Sequence, residues 1–307
     1  MPKLFNPLSD YLKARFNCKV FKVTLNTGLT CPNKDGTKGY GGCAYCDSTA
    51  LIPSEFAEHD IRAQLTKGME RVRKRHGAEK FIAYFQINTN TYAPVEYLEK
   101  IYRQTLHPDI AALAVSTRPD CVSDDVLNLL SEIKKERGLW LELGLQSAND
   151  ATLKLINRGH SVEDFKDAAL RASQRGIDVC AHVIIGLPDE SREDALSSMR
   201  LLSGLGVWGV KFHQLQVIKG TRLEEMYNNG EVKPLTLEEY SEVVVECLEH
   251  LPGDTVIHRL CGDTPARSLA APLWGVNKFM VTEKITGLMR LKGAFQGAKY
   301  GPLKESV

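Results

Sequence analysis

The stretch VFKVTLNTGLTCPNKDGTKGYGGCAYC, residues 20–46, decides how the rest of the chain is read. Val20 to Leu25 is a β-branched and aromatic run of strand length. The loop after it places Cys31, Cys43 and Cys46 within sixteen residues, with eleven residues between the first pair and two between the second. Three thiolates in one loop can hold three irons of a cubane [4Fe–4S] cluster and leave the fourth iron open to a small ligand. Two other readings stand beside it: unconnected thiols, or a structural zinc site completed by Cys18. A closed zinc site takes four ligands, usually as paired knuckles, and Cys18 has no close partner in sequence. Between the cysteines, Gly36, Gly39, Gly41 and Gly42 permit positive φ and close backbone approach, as a loop wrapped around a ligand requires.

Working outward, strand-like runs alternate with helical patterns, the signature of βαβ units and a parallel sheet. Strands are expected at Val20–Leu25, Phe81–Phe85, Ala111–Val115, Trp140–Leu145, Val179–Ile185 and Gly209–Val217. Helices are expected at Ile61–Arg75, Pro94–Leu106, Asp124–Arg137, Val162–Arg175 and Arg192–Ser203. The fold class is therefore α/β, a partial (β/α)6 barrel of the TIM type. In such barrels the chemistry lies at the C-terminal ends of the strands, where the cysteine loop falls. Beyond about Gly230 the pattern changes to a helix at Leu235–Leu251, a short strand at Val256–Leu260 and a Gly- and Pro-rich remainder. The chain divides into an N-terminal extension (1–17), a core barrel (18–230) and a small α+β cap (231–307).

Composition frames this. A chain of 307 residues with 43% hydrophobic content can bury a large core. Eight cysteines, with no apolar leader in Met1 to Asp10, point to a reducing compartment, the cytoplasm. No run of about 18 apolar residues occurs that would cross a membrane. A net charge of +1 neither favours nor excludes nucleic acid.

With three cysteines at the mouth of a six-unit barrel, the chain resembles the radical S-adenosylmethionine (SAM) superfamily. Its usual spacing is C-x3-C-x2-C, whereas the first gap here is eleven. A long first gap is similar to the branch holding the catalytic subunit of Elongator and the YhcC/YtqA-like proteins. The latter resemblance spans nearly the whole chain through Cys31-Pro-Asn, Tyr84-Phe-Gln, Thr117-Arg-Pro-Asp-Cys121, Glu142-Leu-Gly-Leu-Gln146, Asn157-Arg-Gly-His160, Gly186-Leu-Pro188, Lys219-Gly-Thr221 and Trp274-Gly-Val-Asn-Lys278. It implies a [4Fe–4S] cluster on Cys31, Cys43 and Cys46 whose open iron chelates SAM. One-electron reduction by a donor such as flavodoxin or ferredoxin then yields a 5′-deoxyadenosyl radical that takes a hydrogen from substrate.

The resemblance also implies SAM contacts. Gln86, Asn88 and Thr89 follow strand two, where relatives meet the SAM amino group, although the usual double glycine is missing. Ser116 and Arg118 end strand three. Glu142 in strand four is either a ribose partner or a buried glutamate paired with an arginine. Gln146 followed by Arg158 resembles oxygen-independent coproporphyrinogen oxidases, in which the Gln touches the nucleoside and the Arg the SAM carboxylate, a match for its planar fork. His182 takes the place of an acidic residue there, as a ribose partner or a satisfied strand histidine. Ile184 begins the segment whose backbone meets adenine.

The substrate is drawn from the family as well. Elongator's catalytic subunit builds a side chain on wobble uridine, and the YtqA-like branch is tied to the carboxymethylaminomethyl group at that base. The expected substrate is therefore tRNA. The sequence lacks the acetyltransferase domain of Elongator-type chemistry, which argues against carboxymethyl installation from acetyl-CoA. A radical SAM enzyme acting on a small metabolite or protein side chain, and a non-catalytic zinc-stabilised RNA-binding protein, remain as alternatives. Basic runs such as Arg71 to Arg75 and Lys134 to Arg137 read equally as phosphate contacts or solvated helix faces.

Overall fold

Six of the runs that alternate with helices become strands, and each lies parallel to the one before it. The computed structural model describes residues 3–47 and 60–301. In chain order the elements are α1 (Leu8–Phe16), β1 (Val20–Leu25), α2 (Ile61–His76), β2 (Lys80–Phe85), α3 (Val95–Arg103), β3 (Ile110–Thr117), α4 (Asp124–Glu136), β4 (Gly138–Gln146), α5 (Asp150–Leu155) and α6 (Val162–Gln174). They continue with β5 (Asp178–Ile185), α7 (Arg192–Gly204), β6 (Gly209–Gln214), β7 (Val217–Ile218), α8 (Arg222–Asn228), α9 (Leu237–His250), β8 (Val256–Arg259), β9 (Leu269–Ala271) and α10 (Lys278–Lys292). One all-parallel sheet runs β1-β2-β3-β4-β5-β6-β8, and β7 pairs antiparallel with β9.

The helices start where side-chain oxygens satisfy their first amides. Ser161, Ser191 and Thr236 form capping boxes with Asp164, Asp194 and Glu239, each worth about 1 kcal/mol. Packed outside the sheet, these helices bury Ala83, Val115, Leu141, Leu143, Val183 and Val210 in one core that also takes Tyr240 of α9 and Ile285 of α10. On the inner face the N-terminal half of the strands is closed by Ile82, Ala112, Trp140 and Cys180 packed with Leu8 and Leu12 of α1. The barrel is thus plugged at its lower end, and above the plug Glu142, His182 and Lys211 bring polar side chains inward beside Tyr84 and Ala114.

The sheet has seven strands where six were expected. β8 pairs parallel with β6 through Gly209↔Val256 and Val210↔Ile257, so this part of the expected cap belongs to the sheet. The short strand expected at Val256–Leu260 is present as Val256–Arg259, but four residues ending in His258 and Arg259 are too short and too polar to announce a seventh parallel strand. The sixth strand stops at Gln214, and Val217 turns away into β7, which pairs antiparallel with the distant β9. The N-terminal extension is a helix with a buried apolar edge, not a tail.

Candidate active site

The loop after β1 is closed by its own backbone. The Cys31 carbonyl accepts from the Lys34 and Asp35 amides at 2.8 and 3.2 Å, and the Asn33 carbonyl from the Gly42 amide at 2.8 Å. Gly41 and Gly42 take φ of +76° and +80°, the left-handed turns expected of them. Cys31 and Cys43 are buried and Cys46 half-buried. All three line a cavity of about 610 Å³ at the C-terminal ends of the strands, a size that suits a cofactor or small ligand. Cys18 precedes β1 and lies at the opposite end of that strand, which removes it from the set. Among the described residues, no three His, Cys, Asp or Glu side chains converge as a single ion would require.

α5 and the Asn157-Arg-Gly-His160 segment brace this loop. The Ala44 amide donates to the Ile156 carbonyl at 2.9 Å, Asn157 Nδ2 to the Gly42 carbonyl at 2.8 Å, and Asn33 Nδ2 to the Asn157 carbonyl at 2.6 Å. Arg158 is thereby aimed into the cavity. Its Nη1 lies 3.5 Å from Cys43 Sγ and its Nη2 donates to the Gly144 carbonyl at 3.1 Å, while its Nε is buried without a partner. Arg118 holds the segment from behind. It grips Asp120 through two bonds of 2.9 and 3.0 Å and donates to the carbonyls of Arg158 (2.7 Å) and Gly159 (3.0 Å). Burial alone would raise the Cys43 thiol, but Arg158 and Arg118 outweigh it and hold the thiol below its ordinary range. At Cys46 burial prevails and pushes the thiol up to about 11.

Beneath this layer a ring of inward side chains meets at Glu142, whose side chain is fully buried. Its carboxylate accepts from Lys22 Nζ (2.7 Å), Lys211 Nζ (2.8 Å), the Tyr84 hydroxyl (2.8 Å), His182 Nε2 (2.8 Å) and Trp140 Nε1 (3.2 Å). Lys211 also donates to the Tyr84 hydroxyl at 2.6 Å. Burial would raise the Glu142 carboxyl, but Lys211 and Lys22 override it and hold the group ionised well below the usual range. Burial drives His182 down to about 3, so a neutral imidazole donates its Nε2 proton to the carboxylate. Burial, resisted by Glu142 and aided by Lys22 and Arg259, brings Lys211 down to about 7.

All the residues singled out from the sequence line the one cavity except Ile184. Gln86 accepts from the Thr24 hydroxyl at 3.4 Å. Asn88 sits at φ +61° with its Nδ2 on the Leu29 carbonyl at 2.9 Å, and the Thr89 amide donates to Thr30 at 3.3 Å. The polar segment after β2 therefore clasps the approach to the cysteine loop. Gln146 stands at φ +71° beside a bulge between β4 and β5. Ile184 shares the inward side of β5 with His182 but packs with Ala44, Leu187 and Leu215. Glu142 has lysines, not an arginine, as its ion partners, and Arg118 spends its guanidinium on Asp120 and two carbonyls.

Sequence reasoning missed Lys22, Tyr84, Lys211 and His213 as lining residues. The available signal was a lysine in the middle of β1 and of β6, strands otherwise read as buried. Cys261 is buried outside the lining, and burial pushes its thiol up to about 11. Within the basic runs Arg73 meets Asp109 at 2.7 Å and Lys134 meets Asp178 at 2.7 Å, while Arg71 lines the cavity.

Comparison with known proteins agrees with this geometry. Residues 26–202 match the Radical SAM superfamily and residues 207–290 the Radical_SAM C-terminal domain. The chain is 36% identical over 307 residues to YtqA of Bacillus subtilis, covering 99% of this chain and 95% of that protein. It is 32% identical over 210 residues to a tRNA uridine(34) acetyltransferase of Methanocaldococcus infernus, covering 67% of this chain and 38% of that protein. The solved structure of the archaeal Methanocaldococcus infernus Elp3 with an N-terminal deletion shares the fold, with a TM-score of 0.70 and 24% identity over 91% of this chain and 64% of that one. Among the described residues no helix is long and apolar enough to cross a membrane. A three-thiol loop over an open parallel sheet, matched along nearly its full length, makes the chain a member of the radical SAM superfamily, in the YhcC/YtqA-like family.

Proposed function

We propose that this radical SAM enzyme acts on the wobble-uridine side chain of tRNA, of the carboxymethylaminomethyl type, in the cytoplasm and with flavodoxin or ferredoxin as electron donor. The observation that carries the reading is a three-thiol cavity in a chain 32% identical to a protein named for tRNA uridine 34. The donor set fits the cluster and SAM that the family implies. Among the described residues the three thiols line one cavity without gathering on a single point, Cys18 lies at the other end of β1, and a buried arginine beside Cys43 keeps an orphaned Nε. A zinc-stabilised binding protein finds no support in that arrangement.

When bound, the cluster and SAM supply one-electron C–S cleavage and hydrogen-atom abstraction from substrate. The chain's own residues hold and orient. Cys31, Cys43 and Cys46 bind three irons as thiolates, and Arg158 offers its fork to the SAM carboxylate. Gln86, Asn88 and Thr89 meet the amino group, Gln146 and Ser116 the nucleoside. Arg118 acts through Arg158 by fixing its backbone. His182 and the backbone at Ile184 border the ribose and adenine, and Glu142 keeps the lysines and His182 in place.

Gly144 tests the arginine's role. A Cβ there would lie 2.4 Å from Gln146 Nε2 and 2.5 Å from Arg158 Nη2, the mobile ends of two side chains. Gly144→Ala is expected to fold and load iron normally while weakening SAM binding about tenfold or more, the scale of a lost charge-assisted hydrogen bond. Equilibrium dialysis with labelled SAM reads this, and unchanged affinity would remove Arg158 from the SAM site. Mass spectrometry of tRNA nucleosides from a deletion strain tests the substrate. Wobble uridines arrested at one side-chain stage support the reading, and an unchanged profile refutes it.

A further inference from the structure

We propose that Lys22 and Lys211 form an anion subsite on the inner wall of the cavity, which receives a carboxylate at the end of the substrate's side chain. This rests on the wobble-uridine reading, whose carboxymethylaminomethyl group ends in such a carboxylate. The ring around Glu142 holds more positive charge than one carboxylate can neutralise. Lys22 Nζ makes one hydrogen bond, to Glu142 at 2.7 Å, and otherwise faces the Tyr84 ring at 4.4 Å and the Trp140 ring at 5.5 Å. Lys211 Nζ makes two, to Tyr84 and Glu142. An ammonium carries three N–H groups, so both lysines keep donors to spare, and both line the cavity.

Among the described residues, no other group in the ring supplies negative charge. His182 is neutral and stacks on His213 at 5.3 Å, and His213 is met by the Arg259 guanidinium at 2.7 Å. Asp263, at the rim, is exposed and paired with Lys278 at 2.7 Å. Uncompensated buried charge is strongly unfavourable, and an entering anion relieves it.

Depth separates this subsite from the place assigned to the SAM carboxylate. Arg158 reaches the carbonyl of Gly144, whereas the lysines reach the side chain of Glu142, two residues lower in β4. At a strand rise of about 3.3 Å per residue the two lie roughly 7 Å apart. A uridine held at the mouth can pass its extended, acid-tipped side chain down to the lysines.

The test uses cluster-loaded protein prepared without oxygen and saturated with SAM, so that Arg158 is engaged. Sodium acetate is expected to raise the melting temperature saturably, while acetamide in sodium chloride of equal ionic strength does not. Lys22→Gln should abolish the rise and Lys22→Arg keep it. No rise in the wild type, or a rise that survives in Lys22→Gln, overturns the subsite. A second arm, which needs no variant, compares anticodon stem-loops carrying 5-carboxymethylaminomethyluridine and its carboxamide. The acid should bind about tenfold tighter or more, as for a charge-assisted contact; equal affinity overturns the subsite. If neither RNA binds while the acetate response stands, the wobble-uridine reading fails and the subsite remains.

Discussion

Cys43→Ala is expected to abolish SAM cleavage while the ligand-free protein melts close to the wild type. The thiol is buried, but the loop around it is held by bonds that do not use it. The Gly42 amide is tied to Asn33, the Ala44 amide to Ile156 and Asn157 Nδ2 to Gly42. Removing one sulfur therefore loses only on the order of 1 kcal/mol of burial, and the adjacent Arg158 keeps its bond to Gly144. Function has no such margin. With two thiolates left, iron should fall well below the roughly four per chain of a full cubane, and 5′-deoxyadenosine release under reductant should drop below detection. Cys121→Ser serves as control, because Cys121 lies outside the cavity that holds the three thiols. Retention of cleavage by the Cys43 variant would remove the cluster from this loop.

Glu142→Ala should be the most damaging single change to the fold, at about 3–5 kcal/mol, the range for breaking a buried ion pair by deleting one partner. It strips Lys22, Lys211, Tyr84, His182 and Trp140 of their common acceptor at once. Two ammonium groups would then face each other across the barrel. Chemical denaturation at neutral pH measures the loss, and a difference below about 1 kcal/mol, far short of the broken-pair range, would contradict the account. Because the folded carboxyl is held well below its ordinary range, its contribution is present above that range and lost as the pH falls through the folded value. The gap between variant and wild type should therefore narrow in acid. Replacing Glu142, Lys22 and Lys211 together by apolar residues of similar volume should restore much of the stability, since the charges must first be desolvated to meet.

Much of this protein was legible because parallel strands buried on both faces are continuous apolar runs, and their helices carry stripes and caps. That pattern yielded β1 to β6, most of the helices between them and the position of the cysteine loop. It marked β8 as a short strand but not as part of the sheet, a place those four residues gain only by pairing with β6. It was silent on α1 as a plug, since Leu8 and Leu12 are informative only against Trp140 and Ala112. The candidate site divides the same way. Cysteine, arginine and glutamine stood out by type and spacing. Lys22 and Lys211 looked like single polar residues in strands, and nothing in their own neighbourhoods said that they face one glutamate.

By itself, the sequence determined the order of strands and helices and the placing of three thiols just after the first strand. It thereby also determined that the chemistry lies at one end, because parallel strands with helical crossovers send every strand-to-helix loop to the same face. The tertiary structure decided who meets whom there. Arg158 reaches Cys43 across 115 positions, Lys22 reaches Glu142 across 120, and Lys211 reaches Tyr84 across 127. Local propensity reports on neighbours a few residues apart. These pairings depend instead on strand register and on the bulge at Gly144 and Gln146, which are set only when separate strands align side by side.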